Sequence, residues 1–118
     1  MRILIADDEP HIVTALEFLL QRAGHQVLVA RDGVEALALA LSSDLVLLDV
    51  MMPVLNGHEV CRELRRRPEG RRVRIMMLSA KGGRADVEKG LQAGADVYIT
   101  KPFSNQELLG RIEGLLSR

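Results

Sequence analysis

The chain has 118 residues, of which 47% are hydrophobic and 27% charged, so its size and composition are those of one globular domain rather than a disordered chain or a disulfide-stapled miniprotein. Sixteen basic residues balance sixteen acidic ones, which leaves no global field to attract nucleic acid or an anionic membrane. The single cysteine cannot form an internal disulfide, which fits the reducing cytoplasm. No apolar stretch reaches the length of about 20 residues that crosses a bilayer, so we expect one cytoplasmic domain, residues 1–118, with no membrane segment.

Short apolar runs alternate along the chain with segments of helical spacing. Runs rich in Ile, Val and Leu predict five strands, at Arg2–Ala6, Gln26–Ala30, Asp44–Leu48, Arg74–Leu78 and Val97–Thr100. Pairs of polar residues three apart predict three helix starts, at Asp32 with Glu35, Asn56 with Glu59 and Ser104 with Glu107. This alternation predicts an α/β fold, a parallel sheet with helices on both faces, because right-handed crossovers return each strand in the same direction.

A set of polar side chains directly follows the predicted strands. Parallel strands bring their carboxyl ends to one edge of the sheet, which is where ligands of such sheets bind. The residues that follow the first, third, fourth and fifth strands are Asp7 with Asp8, Asp49, Ser79 and Lys101. We therefore expect three carboxylates, a hydroxyl and an ammonium group to converge at this edge.

The charges of this set indicate its chemistry. Three ionised aspartates and one lysine carry a net charge of −2, which one divalent cation would neutralise. Oxygen ligands without histidine or cysteine favour Mg²⁺, which commonly binds one or two carboxylates together with phosphate oxygens. A carboxylate can attack phosphorus when a metal and a lysine screen the phosphoryl oxygens, and Asp49 has that setting.

Four motifs together resemble those of bacterial response-regulator receiver domains, of which the chemotaxis regulator is one. They are ILIADDEP at residues 3–10, LLDVMMP with NG at residues 47–57, LSAK at residues 78–81 and GADVYITKPF at residues 94–103. The resemblance covers essentially the whole chain. It implies a doubly wound five-stranded parallel sheet in the order 2-1-3-4-5, flanked by five helices.

The resemblance also implies roles in a phosphorelay. Asp49 would accept a phosphoryl group from a sensor histidine kinase or a phosphotransfer protein. Asp7 and Asp8 would hold Mg²⁺ together with Asp49 and the backbone carbonyl of Met51, and Lys101 would pair with the phosphoryl group. Such a domain is not an enzyme in the ordinary sense, but a phosphoacceptor that assists its own phosphorylation and dephosphorylation.

The same resemblance implies a switch. Ser79 would swing to hydrogen-bond a phosphoryl oxygen, Tyr98 would move into the vacated space, and the Lys101–Pro102 bond would be cis. The face formed by the fourth helix, fifth strand and fifth helix would then bind a downstream partner or effector domain, which the sequence does not identify. A pseudo-receiver that docks without phosphorylation and a receiver fragment of a DNA-binding response regulator remain as alternatives.

The C-terminal segment, Ser104 to Leu116, resembles receivers of winged-helix transcription factors, which pair through salt bridges. Glu107 and Arg111 match two of the charged positions, whereas Val87 and Val97 replace an arginine and an aspartate. Exposed ion pairs contribute only about 0–1 kcal/mol each, so the loss of these charges need not abolish pairing. The two valines make this face more apolar and less selective, which predicts a monomer or a weak activation-dependent dimer.

The clustered arginines and the three histidines are weak indications of a nucleic-acid site or a zinc site. Residues 62–74 contain seven of the thirteen arginines, but interspersed glutamates favour a solvated helix end and following loop over a nucleic-acid site. His11, His25 and His58 lack the spacing of zinc ligands, so we expect them at the surface. No direct contact with nucleic acid is predicted for this domain.

Overall fold

A computed structural model describes residues 1–117, and strands and helices alternate through them. The elements are β1 (Arg2–Ala6), α1 (Pro10–Arg22), β2 (Gln26–Ala30), α2 (Gly33–Ala40), β3 (Leu45–Asp49), α3 (Gly57–Arg66), a 3-10 turn (Pro68–Gly70), β4 (Arg74–Ser79), α4 (Arg84–Gln92), β5 (Val97–Thr100) and α5 (Asn105–Leu116). The predicted alternation is confirmed, with shifts of one residue at three strand ends.

The sheet is parallel throughout, in the order β2-β1-β3-β4-β5, as the family resemblance implied. Strands β3 and β4 each run one residue further than predicted, because Asp49 pairs with Leu78 and Ser79 pairs with Thr100 in the sheet register. Two polar residues expected just beyond the strands are therefore held by the sheet itself.

Each face of the sheet carries its own buried core. Successive side chains of a strand point to opposite faces, so Leu4 and Met77 lie in one core and Ile5 and Met76 in the other. Helices α2 and α3 cover the first face, and helices α1 and α5 cover the second. Strands β1, β3 and β4 are buried on both faces, which is why their sequences are apolar almost throughout.

The three predicted helix starts are confirmed by side-chain caps. Asn56 and Glu59 form a reciprocal pair, in which each side chain accepts the backbone N–H of the other, at 2.9 and 3.0 Å. Asp32 and Ser104 each accept the N–H of the residue three positions on. The cap at Asn56 fixes the point at which the chain leaves the loop after β3.

The arginine-rich segment is less solvated than predicted. Arg65, near the end of α3, donates to the carbonyls of Gly94, Gly70 and Val73 at 2.7–2.9 Å, and its guanidinium pairs with Asp96 at 3.0 Å. Arg72 donates to the carbonyl of Leu41. The expectation of a solvated helix end is wrong for Arg65, because backbone carbonyls from two loops surround its guanidinium.

The histidines also depart in part from the expectation. His11 is exposed and His25 is half-buried, whereas His58 is buried in the first turn of α3, where burial lowers its pKa.

None of the helices within residues 1–117 combines the length and the apolar composition that crossing a membrane requires.

Candidate functional site

Three carboxylates meet at the carboxyl edge of the sheet, as predicted. Strands β1 and β3 are neighbours, so Asp7 and Asp8 after β1 lie beside Asp49 at the end of β3. One oxygen from each of the three residues can be chosen so that all lie within 4.8 Å of one another. This spacing and the hard oxygen donors fit a divalent cation such as Mg²⁺.

A lysine enters the same site from β5. The Lys101 Nζ atom lies 3.3 Å from Asp7 Oδ2 and 3.5 Å from Asp49 Oδ1. The Lys101 N–H also donates to the carbonyl of Ser79 at 2.7 Å, which ties the residue to the end of β4. The Lys101–Pro102 peptide bond is cis, as predicted.

The three carboxylates differ in their surroundings. Asp7 is fully buried and its Oδ1 accepts the N–H of Glu9 at 2.9 Å, whereas Asp8 is exposed. Asp49 is buried and its Oδ1 accepts the N–H of Met51 at 3.3 Å. One lysine cannot balance three carboxylates in so small a space, so the site favours a further cation.

Burial raises the pKa of Asp49 to about 6, and the charge of Asp7 adds to this effect while the Lys101 ammonium opposes it. In the unfolded chain this carboxyl ionises near its ordinary value of 3.8. As the pH rises from about 4 to above 6, the unfolded state therefore loses its proton first and the metal-free fold is destabilised. At about 1.4 kcal/mol for each pKa unit, the raised pKa of Asp49 lowers the free energy of unfolding by about 3 kcal/mol once the pH is well above 6.

We therefore expect Asp49→Asn to stabilise the metal-free protein increasingly between pH 4 and pH 7. The gain in the free energy of unfolding should be near zero at pH 4 and about 3 kcal/mol at pH 7.5. Urea denaturation of both proteins in chelator measures this difference. A gain that does not change with pH would contradict the raised pKa of Asp49.

The two residues predicted to form the switch hold the same backbone segment. Ser79 is buried at the end of β4, and its Oγ accepts the N–H of Lys81 at 3.1 Å. Tyr98 is half-buried in β5, and its hydroxyl donates to the carbonyl of Lys81 at 2.6 Å. A movement of Ser79 would thus release one of the two hydrogen bonds that hold Lys81.

Two glycines contribute to the site: Gly57 belongs to the NG motif that follows β3, whereas Gly90 carries no functional signal in the sequence. A Cβ atom on Gly57 would lie 2.5 Å from the backbone oxygen of Asp49. A Cβ atom on Gly90 of α4 would lie 2.7 Å from the ring of Tyr98. The absence of a side chain at each glycine lets the Asp49 backbone and the Tyr98 ring come close, contacts that only the tertiary structure shows.

The chain matches one protein family over nearly its whole length and resembles a bacterial transcriptional regulator. A family model described as "Response regulator receiver domain" matches residues 3–113. The chain is 46% identical over 119 residues to the alkaline phosphatase synthesis transcriptional regulatory protein PhoP of Bacillus subtilis. That match takes in 99% of this chain and 49% of the relative, so the chain spans about half the length of that protein.

Solved structures agree with this match. A crystal structure of a response regulator from Chloroflexus aurantiacus is 35% identical, with a TM-score of 0.93 over 99% of this chain and 98% of that one. The receiver domain of the sensor histidine kinase PA1611 from Pseudomonas aeruginosa is also 35% identical, with a TM-score of 0.91 and the same coverage. That second structure has a magnesium ion coordinated in its active-site cleft.

Proposed function

The chain belongs to the response regulator receiver domain family of two-component signalling, and on that premise we propose that it accepts a phosphoryl group on Asp49 in a Mg²⁺-dependent reaction. The observation that carries the proposal is the meeting of Asp49 with Asp7, Asp8 and Lys101 at one edge of the sheet. The donor would be the phosphohistidine of a sensor histidine kinase or of a phosphotransfer protein.

The proposed transfer is a substitution at phosphorus. An Oδ atom of Asp49 forms a bond to phosphorus, the bond from phosphorus to the imidazole nitrogen breaks, and its electron pair leaves with the imidazole. When bound, Mg²⁺ would offset the negative charge of the phosphoryl oxygens and so allow the carboxylate to approach. The protein ligands of the ion would be the carboxylates of Asp7, Asp8 and Asp49 and the backbone carbonyl of Met51.

Lys101 and Ser79 would stabilise the product. The Lys101 ammonium already lies 3.5 Å from Asp49 Oδ1, so a small movement would pair it with a phosphoryl oxygen. A phosphoryl group brings about two negative charges where a single carboxylate stood, and this attracts the hydroxyl of Ser79. Ser79 would then release Lys81, and the hydrogen bond of Tyr98 to that residue would carry the change toward α4 and β5.

The setting and output of this domain are part of the proposal. A cytoplasmic location suits Cys61, a buried free thiol, because the cytoplasm keeps cysteines reduced. The Bacillus subtilis relative is a transcriptional regulatory protein, which supports an output through a DNA-binding effector rather than through nucleic-acid contacts of this domain. The domain would assist its own phosphorylation and dephosphorylation without acting on another substrate.

Intact-protein mass spectrometry after treatment with acetyl phosphate tests the proposed function. We expect the protein to gain the mass of one phosphoryl group with Mg²⁺ and none in chelator, because the acidic site cannot hold the donor's phosphate without a cation. A protein that gains no phosphoryl group in any condition would instead be a pseudo-receiver that acts only by docking.

We also expect the activated domain to stay mainly monomeric at micromolar concentration. Val87 and Val97 are half-buried and neutral, so exposed Arg111 lacks the acidic partner that the winged-helix subfamily provides across its interface. Sedimentation velocity with beryllofluoride, whose BeF₃ group stands in for the phosphoryl group, measures the oligomeric state. A tight, salt-sensitive dimer that forms only on activation would show that a charged interface persists.

A further inference from the structure

Helix α4 is attached to the protein differently from α1, α3 and α5. Each of those three helices buries large apolar side chains, whereas Gly90 is the only buried residue of α4, Arg84–Gln92, all of which the structure describes. A glycine has no side chain to bury. Val87 is only half-buried and Leu91 is 44% exposed. Helix α4 therefore lacks the buried apolar side chains that attach the other three helices to the sheet.

The two ends of α4 are held unequally. At the C-terminal end, the carbonyl of Gly90 accepts the N–H of Ala95 at 3.2 Å, and the N–H of Ala93 donates to the carbonyl of Lys89 at 3.0 Å. The carbonyl of Gly94, just beyond the helix, accepts the Nε–H of the α3 arginine at 2.9 Å. At the N-terminal end, the described residues provide no side-chain cap. The held end of α4 is therefore the turn that contains Gly90.

The ring of Tyr98 occupies the space that a side chain at position 90 would take. A Cβ atom on Gly90 would lie 2.7 Å from Cδ2 and 3.0 Å from Cε2 of this ring, and 3.0 Å from the Sδ atom of Met77. Carbon atoms pack at about 3.5–4.0 Å, so these distances leave no room for a methyl group. The flat ring therefore lies directly against the backbone of α4, which only a glycine at this position permits.

The Tyr98 ring is itself held at both ends. Its backbone pairs with Met77 in the sheet, and its hydroxyl donates to the carbonyl of Lys81 at 2.6 Å. The N–H of Lys81 in turn donates to the Oγ atom of Ser79. A side chain at position 90 would therefore have to push α4 away from the ring or pull the hydroxyl away from Lys81. These contacts connect Ser79 to Gly90 in one continuous series.

Resting on the proposed function, we propose that Gly90 is a positioning residue, whose missing side chain lets the Tyr98 ring hold α4 against the sheet, so that the docking of α4 depends on where the ring lies. A phosphoryl group that attracts the Ser79 hydroxyl frees Lys81, and the hydrogen bond of Tyr98 to Lys81 transmits this change to the ring. When the ring leaves Gly90, α4 turns about its held end and changes the surface that a partner meets.

Substitutions in two helices separate this contact from helix propensity. Alanine forms helices more readily than glycine, so Gly90→Ala would stabilise α4 if nothing lay against position 90. Gly110→Ala in α5 is the matched control. Apart from its chain neighbours and its own helix backbone, a Cβ atom on Gly110 would have no atom of residues 1–117 within 4 Å. Tyr98→Ala removes the ring, and the double variant shows whether Gly90→Ala acts through it.

Amide hydrogen exchange on the metal-free, unphosphorylated protein measures the docking of α4, with the Leu47 amide of β3 as the reference for global stability. We expect the Ala93 and Ala95 amides to exchange about tenfold faster in Gly90→Ala, a factor within the cost of overpacking, and at the native rate in Gly110→Ala. In the Tyr98→Ala background, Gly90→Ala should instead slow this exchange about threefold, through helix propensity alone. Slower or unchanged exchange in Gly90→Ala, or an acceleration that persists without the ring, would overturn the inference.

Tyrosine fluorescence connects the contact to activation. Tyr98 is the only tyrosine and the chain has no tryptophan, so the emission of the protein reports on this ring. With Mg²⁺ and beryllofluoride we expect the emission to change and the Ala93 and Ala95 amides to exchange faster. If fluorine NMR shows BeF₃ bound, a change in only one of the two signals, or in neither, would overturn the inference alone. A protein that binds no BeF₃ and takes up no phosphate would overturn the proposed function, and exchange in the metal-free variants would still decide the contact at Gly90.

Discussion

Replacing Asp49 with asparagine is expected to abolish phosphate incorporation from acetyl phosphate, because the amide has neither the charge nor the nucleophilic oxygen that attacks phosphorus. Asp7 and Asp8 are not expected to take over. Asp7 is fully buried and its Oδ1 accepts the N–H of Glu9, and Asp8 is proposed to bind the cation. Intact-protein mass spectrometry in the presence of Mg²⁺ measures the loss. A phosphoryl adduct that persists in Asp49→Asn would contradict the assignment.

Asp44 provides a matched control at the opposite end of the same strand. Its carboxylate accepts the N–H of Arg2 at 2.7 Å, just before β3 begins, and an asparagine can keep that hydrogen bond. Asp44→Asn should therefore incorporate phosphate as the native protein does. A loss of incorporation in Asp44→Asn would show that the assay reports damage to the fold rather than the chemistry of Asp49.

Arg65→Met is expected to lower the free energy of unfolding by about 2–4 kcal/mol, measured by urea denaturation. The substitution leaves the carbonyls of Gly94, Gly70 and Val73 without their charged donor and removes the ion pair with Asp96. The side chain of Arg65 is only 21% exposed, so water can replace these contacts only in part.

The neighbouring arginine is the control for this substitution. Arg66 is 76% exposed and contacts Glu63 on the same helix, so Arg66→Met should change stability by no more than about 0.5 kcal/mol. Equal effects at the two positions would mean that the carbonyl contacts of Arg65 contribute nothing beyond the removal of a surface charge.

The sheet and the convergence of the site are predictable from the sequence. Continuous apolar runs identify strands buried on both faces, and the residues after those strands have to meet at one edge. Asp7, Asp49 and Lys101 are therefore expected together from the positions of the strands alone. The sheet order comes from the family resemblance and not from periodicity.

Other features depend on contacts between distant parts of the chain and could not be predicted. Arg65 lies among charged neighbours, so its pattern indicated a solvated surface, but its partners Gly94 and Asp96 are 29 and 31 residues away. His58 is buried in the first turn of α3, where charges of Asp86 and Lys89 from α4 act on it. Val54, in the loop between β3 and α3, has a positive φ of 71°, and because valine rarely adopts a positive φ, nothing in the sequence indicated this conformation.

The burial of each carboxylate also has no signal in the sequence. Asp7 and Asp8 are adjacent and chemically identical, but Asp7 is fully buried and Asp8 is exposed. The raised pKa of Asp49 follows from its burial beside Asp7, with Lys101 as a partial counterweight. Counting charges predicts the need for a cation, and only the structure shows which carboxyl group has a raised pKa.

A crystal structure of the protein with Mg²⁺ and beryllofluoride tests the central claim most directly. We predict a BeF₃ group on a carboxylate oxygen of Asp49, with the Lys101 ammonium and the Ser79 hydroxyl against its fluorines and one cation held by Asp7, Asp8 and Asp49. A BeF₃ group on Asp7 or Asp8, or a site that binds neither ion at saturating concentration, would contradict Asp49 as the Mg²⁺-dependent phosphoacceptor.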